Sequence, residues 1–251
     1  INPLLTLNVS GGIICVDYLS GVAQGTFTMQ SGLNSSEFTV NWFLNGVQVG
    51  TGANYTATEP GSYTIKTVKL QPESGLNCNY SDTVVLIDKS STAIADVLVS
   101  DYFENNTSAS IINLNGYGDY LYQVDGIAYQ SNTVFSDLSS GDHILYIKDI
   151  KNNCGVTAIP FKIINYPKFF TPNGDGFNDT WNIFDLSFKP QSKISIFDRF
   201  GKLLKQIETG SQGWDGMLNG KDLPSTDYWF VLDYEINGEP KQLKGHFAMK
   251  R

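Results

Sequence analysis

The chain has 251 residues, 41% of them hydrophobic and 17% charged, with a net charge of −8. That apolar content is enough for packed cores and excludes global disorder. No run of eighteen apolar residues occurs, so no membrane-crossing helix of its own is expected. The acidic balance excludes nucleic acid as a partner, because such binding rests on neutralising phosphates.

The charge is uneven. Residues 1–165 carry 6 Lys and Arg against 14 Asp and Glu, and residues 166–251 carry 11 of each. The last stretch holds Lys241, Lys244, Lys250 and Arg251 with no acid among them. Such a basic tip can dock on an acidic partner or simply sit in water.

Helical periodicity is nearly absent. Short alternating runs of Val, Ile, Thr, Tyr and Phe are separated by clusters of Gly, Asn, Asp and Ser. This pattern predicts an all-β protein of tandem immunoglobulin-like β-sandwich modules. The first module covers residues 1–90. Its strands are Gly12–Tyr18, Phe38–Leu44, a return strand from Gln48, Tyr63–Val68 and Asp82–Ile87, with a hairpin turn at Asn45-Gly46. The second covers residues 91–165 and repeats the scheme. Tyr120–Val124 precedes the turn Asp125-Gly126, and Leu138–Ile147 mirrors Glu59–Ile65. Tyr166-Pro167 marks the next boundary. In residues 166–251 the strands are Lys193–Phe197, Lys202–Ile207, Tyr228–Tyr234 and Leu243–Met249, with a turn at Asn219-Gly220.

Three cysteines are present, an odd number. Cys15 and Cys78 stand at opposite ends of the first module, so a Cys15–Cys78 bridge would close it and would imply an oxidising compartment. Cys154 is then left as a free thiol.

The stretch Asn173–Asp179 concentrates side-chain oxygens between two glycines. Asn173, Asp175, Asp179 and the carbonyl of Phe177 form a candidate calcium loop, since calcium takes six to eight oxygens. The alternative is a tight turn in which Asn and Asp side chains bond their own backbone. Asp215 reads as a turn-capping residue. His143 and His246 fall inside alternating strands as ordinary strand residues. There is no nucleophile elbow, no zinc-protease helix and no phosphate-binding loop, so no enzyme activity is expected. Trp214, Tyr228 and Trp229 offer flat rings that could stack on sugars or fill a core. The sugar option supports an alternative reading, a carbohydrate-binding or accessory module of a polysaccharide-degrading protein.

Four motifs follow one another near the end: Phe169-Phe170-Thr171-Pro172-Asn173-Gly174-Asp175-Gly176-Phe177-Asn178-Asp179-Thr180-Trp181, Asp198-Arg199-Phe200-Gly201, Gly213-Trp214-Asp215-Gly216, and Leu223-Pro224-Ser225-Thr226-Asp227-Tyr228-Trp229-Phe230. In this order they resemble the gliding-motility-associated C-terminal domain, the type B sorting signal of type IX secretion in Bacteroidetes. Asp198-Arg199-Phe200-Gly201 departs from the Asn-Arg-Trp-Gly usual there. The second module is similar to the SprB-type repeats of surface adhesins, and the first to PKD or immunoglobulin-like modules.

The resemblance implies that residues 166–251 are a small antiparallel β-sandwich sorting domain. It implies export across the outer membrane to the cell surface. The implied partners are the type IX translocon and an outer-membrane protein of the PorP/SprF type. Residues 1–165 would be the last modules of an adhesin. The docking surface expected first is the final strand with its basic end: Leu243, Lys244, His246, Phe247, Met249, Lys250 and Arg251. An exposed edge strand there could accept a partner's backbone.

Overall fold

The computed structural model describes residues 7–70, 82–99, 103, 107–184, 192–236 and 238–251. By contacts the chain forms two compact units. The first comprises Ile1–Leu98, Ser110–Val134 and Ile144–Pro160; the second comprises Val99–Ala109, Phe135–His143 and Phe161–Arg251. The fold is all-β, with no α-helix among the described residues, and no helix in it is long and apolar enough to cross a membrane.

In the first unit the chain runs through β1 (Gly12–Cys15), β2 (Phe27–Gln30), β3 (Phe38–Leu44), β4 (Val47–Thr51), β5 (Asn54–Ala57), β6 (Gly61–Lys69) and β7 (Thr83–Ser90). Five of these form a sheet in the order β1-β7-β6-β3-β4, while β2 pairs with β5. The two sheets share a core. Val40, Trp42 and Leu44 alternate inward from β3 and meet Met29 of β2 and Ala57 of β5, as the period of two requires. Trp42 donates its indole N–H to the Gly52 carbonyl at 2.8 Å, so its one polar atom is satisfied. Asn45 and Gly46 take φ values of 53° and 82°, the left-handed pair that a two-residue hairpin needs.

The chain continues through β8 (Ile94–Val99), β9 (Ala109–Asn115), β10 (Tyr120–Val124), β11 (Val134–Phe135), β12 (Gly141–Asp149) and β13 (Val156–Ile163). These make two three-stranded sheets, β11-β9-β8 and β10-β12-β13. Tyr122 and Val124 sit opposite Ile147 and Leu145, and all four are buried.

The cysteine pairing differs from the sequence expectation. Cys15 is bonded to Cys154, with Cα atoms 5.5 Å apart and a sequence separation of 139. Cys15 is therefore not available to Cys78, which lies outside the described residues, and Cys154 is not a free thiol. The cause is the pairing of β1 along β7. These strands run parallel, with Cys15 opposite Ser90, and this carries Cys15 to the place where residues 150–155 turn back.

A polar network surrounds that bond. Asp149 is fully buried. Its carboxylate accepts from the Ser90 hydroxyl at 3.0 Å and from the N–H groups of Cys154 at 2.9 Å, Lys151 at 3.0 Å and Asn152 at 3.2 Å. Burial pushes this carboxyl up, but the donors together outweigh it and hold its pKa below the ordinary value. Lys151 pairs with Asp88 at 2.9 Å and donates to the carbonyls of Lys89 and Tyr117. Asn152 donates to the Ile13 carbonyl at 3.2 Å. Residues near 15, 90, 117 and 150 are thus held together by one covalent bond and a set of satisfied polar contacts.

The second unit contains β14 (Phe169–Phe170), β15 (Lys193–Phe197), β16 (Leu203–Glu208), β17 (Met217–Leu218), β18 (Lys221–Asp222), β19 (Asp227–Ile236) and β20 (Glu239–Met249). A five-stranded sheet runs in the order β14-β20-β19-β15-β16. It is antiparallel except for β14, which runs parallel to β20. β19 and β20 pair from Asp227 opposite Ala248 to Ile236 opposite Glu239. On the inner face Tyr228, Phe230, Leu232, Phe247 and Met249 meet Phe170, Trp181, Ile183 and Trp214. Trp181 and Trp214 exchange backbone hydrogen bonds, both at 2.9 Å. The Trp181 ring stacks on Phe247 with centroids 3.8 Å apart and planes 11° apart.

Candidate functional site

The loop after β14 is built around one carboxylate. Asp179 Oδ1 accepts the N–H groups of Asn173 at 3.0 Å and Gly174 at 2.7 Å, and Oδ2 accepts that of Gly176 at 2.7 Å. Gly174 and Gly176 have φ values of 78° and 86°, the left-handed region where glycine carries no Cβ penalty. Asp175 Oδ1 accepts the Phe177 N–H at 2.7 Å and Oδ2 accepts from the Asn173 amide at 2.8 Å. The N–H groups of Gly174, Gly176 and Asn173 hold the Asp179 carboxyl below its usual range, against a smaller upward push from burial. That contribution is present above pH about 4 and is lost as pH falls below it.

These contacts are those of the self-bonded turn. The oxygens of Asn173, Asp175 and Asp179 are turned toward the loop's own N–H groups. Among the described residues no group of three or more His, Cys, Asp and Glu side chains is placed to hold a metal. Asp179→Ala is expected to lower the melting temperature of the second unit, while a chelator leaves the wild-type protein unchanged. Paired thermal melts with and without the chelator check both outcomes.

Two further turns repeat one feature of this loop. Asp198 Oδ1 accepts the Phe200 N–H at 2.9 Å and the Lys202 N–H at 2.9 Å. Asp215 Oδ1 accepts the Met217 N–H at 3.0 Å, the capping role expected of it. In all three turns an Asp fixes the backbone of a large apolar residue two positions later. Phe177 is 77% exposed, Phe200 81% and Met217 42%.

The three turns lie at one end of the sheet. Phe170 pairs with Met249, Ala248 with Asp227, and Phe197 with both Trp229 and Leu203, so the strands beside them finish or begin together. Arg251 ties this end. Its guanidinium donates to the Leu223 carbonyl at 2.9 Å and the Pro172 carbonyl at 3.3 Å and pairs with Asp222 at 2.9 Å. Beside it is a cleft of about 380 Å³. Leu204, Leu218, Leu223 and Tyr228 supply apolar lining, and Arg199, Phe200, Lys202 and Asp227 stand among its polar and exposed groups.

The docking surface expected on the final strand is corrected in part. Phe247 and Met249 are core residues, 0% and 2% exposed, so they cannot touch a partner. β20 is flanked by β19 along its length and by β14 at Ala248 and Met249, so its last residues are not a free edge. Arg251 is committed to the chain itself, as described above. Lys244, His246 and Lys250 are exposed and Leu243 is half-buried; Lys250 lies over the Phe169 ring at 5.0 Å. The sugar platform does not assemble either. Trp214 and Tyr228 pack edge to face in the core, 4.9 Å apart, and Trp229 alone of the three faces solvent. The cleft and the tie through Arg251 were not foreseen. The repeated spacing in Asp175-Gly176-Phe177, Asp198-Arg199-Phe200 and Asp215-Gly216-Met217 was the signal available for the turns.

The arrangement is a sheet whose capped turns hold exposed side chains at one end. Residues 164–249, about a third of the chain, match the family model of the CHU_C Type IX secretion signal domain. That match supports a C-terminal sorting domain of a secreted protein, with export to the surface or beyond. No curated protein matches the chain. Among solved structures the chain is similar to Sidekick-1 immunoglobulin domains 1–5, at 11% identity and a TM-score of 0.38, covering 99% of this chain and 60% of that one. It is similar to Drosophila OTK extracellular domains 3–5, at 9% identity and a TM-score of 0.26, over 99% of this chain and 97% of that one. A two-domain fibronectin type-III segment from chicken tenascin gives 12% identity and a TM-score of 0.28, over 63% of this chain and 98% of that one. The all-β assignment rests on the strands themselves.

Proposed function

We propose that residues 164–251 are the address by which type IX secretion recognises this protein, and that they act as a folded docking shape without catalysis. The observation that supports this most directly is the coincidence of the family match at 164–249 with a closed aromatic core. All four sequence motifs contribute buried side chains or capped turns to that unit. The partner in this reading is an outer-membrane protein of the PorP/SprF type working with the translocon. The preceding β-sandwich part would be the last modules of a cell-surface adhesin.

The test uses the chain with and without residues 164–251, expressed in a bacterium that carries type IX machinery. Surface protein is measured by its accessibility to added protease in intact cells. The full chain is expected outside and the truncated chain inside. Normal surface display of the truncated chain would sink the reading.

A further inference from the structure

We propose that the Cys15–Cys154 bond is a redox-sensitive lock on the joint between the β1–β7 sandwich and the β10–β12 pair. Oxidised, it fixes the angle of the joint; reduced, it lets the joint swivel. The residues of this joint, near 15, 90, 117 and 150, all belong to the first compact unit. The chain crosses from one side to the other between the end of β7 at Ser90 and the start of β8 at Ile94. A segment that links two modules is ordinarily exposed and mobile. Here Ser90 and Ser91 are 0% exposed and Ala93 2%. Their polar groups are used. The Ser90 hydroxyl donates to Asp149, the Ser91 hydroxyl accepts the Tyr117 N–H at 2.9 Å, and the Ser91 carbonyl accepts the Tyr120 hydroxyl at 3.0 Å. The Lys89 ammonium lies over the Tyr117 ring at 3.6 Å. These contacts hold the pivot, but they all sit at the crossing itself and have little lever arm against a twist.

The disulfide is a second covalent crossing of the same joint. Cys15 stands opposite Ser90 on the neighbouring strand, about 5 Å to the side of the first crossing. A single crossing leaves a swivel, whereas a pair side by side resists a twist about either. Asp149 ties the crossings together, because its Oδ2 accepts both from the Ser90 hydroxyl and from the Cys154 N–H. Without the bond, the contacts left beside the first crossing are the Lys151 ammonium on Asp88 and the Asn152 amide on the Ile13 carbonyl. Water reaches both, so each is of small net worth. Cys15 and Cys154 are half-buried, which leaves the bond open to a small dithiol. The dithiol supplies the electron pair and the protons: the S–S bond breaks, both cysteines become thiols, and the reductant closes to a cyclic disulfide.

Single-molecule energy transfer in the full chain reads the joint. Dyes are attached through azide side chains introduced at Val47 and Ile127, so that no thiol is touched. These positions are 68% and 62% exposed and stand one on each side of the joint, in β4 and after β10. A second pair, at Val47 and Val84, lies within the β1–β7 sandwich and reports its unfolding. The Val47–Ile127 distribution is expected to be narrow in the oxidised chain, to broaden with dithiothreitol, and to be broad in C15S/C154S with or without it. S90A removes the hydroxyl that links Asp149 to the first crossing. It is expected to be narrow when oxidised and broader than the reduced wild type when reduced. The Val47–Val84 distribution is expected to stay unchanged throughout. A Val47–Ile127 distribution indifferent to dithiothreitol overturns the proposal. Broadening of both pairs together also overturns it, since reduction would then unfold the sandwich and free no joint. An S90A chain already broad when oxidised overturns it as well, by placing the lock at Asp149 and not at the bond.

Discussion

Replacing Cys15 and Cys154 together by serine is expected to lower the melting temperature of the first unit by about 10 °C. The bond closes 139 residues. In the chain-entropy model a loop of that length stabilises the folded state by about 5 kcal/mol, and removal of native bridges typically costs about 2–5 kcal/mol. A second contribution comes from what the bond holds in place. Asn152 donates to the Ile13 carbonyl across it, and the buried Asp149 carboxylate accepts from Cys154 beside it. If β1 separates, the donors around Asp149 lose their fixed geometry. Differential scanning calorimetry with and without reductant checks the result. The wild-type transition should move with reductant and that of the double variant should not. A wild-type transition indifferent to reductant would show that the bond adds nothing.

Trp181→Ala is expected to destabilise the second unit by about 3–5 kcal/mol, the range for truncating a fully buried large aromatic. Trp181 is 0% exposed. Its loss removes the stack on Phe247 at 3.8 Å and the contact with Phe230 at 5.0 Å. It also orphans the Pro167 carbonyl, which accepts the indole N–H at 2.8 Å. The first unit's transition should stay where it is. Export should fail together with folding. A Trp181→Ala chain that melts like the wild type would mean that the ring does not organise the core.

The strands with clean alternation were legible in the sequence. Phe38–Leu44, Tyr120–Val124 and Lys193–Phe197 carry one buried face or a run of β-branched and aromatic residues, and the structure has β3, β10 and β15 at those bounds. β2 and β5 were missed because four residues are too few to show a period. β13 was missed because Pro160 interrupts its pattern; proline is tolerated there because β13 is an edge strand of its sheet. The Cys15–Cys154 pairing was illegible because it depends on the parallel β1–β7 register, which no local pattern encodes. The loop Asn173–Asp179 was recognised as oxygen-rich. Sequence does not separate oxygens turned toward a cation from oxygens turned toward the loop's own amides, since both arrangements want the same residues. Sequence alone does not distinguish a phenylalanine that fills a core, such as Phe170, from one that a capped turn holds in water, such as Phe177.

The long covalent loop has a mechanical corollary. A pull applied at the two ends of the chain travels from Cys15 through sulfur to Cys154 and bypasses every residue between them. With a sequence separation of 139 across the shortcut, about 480 Å of contour length is withheld from stretching until the bond is reduced. Under tension the strands enclosed between Cys15 and Cys154 would feel almost no force, and the pull would pass through the sulfur bridge instead.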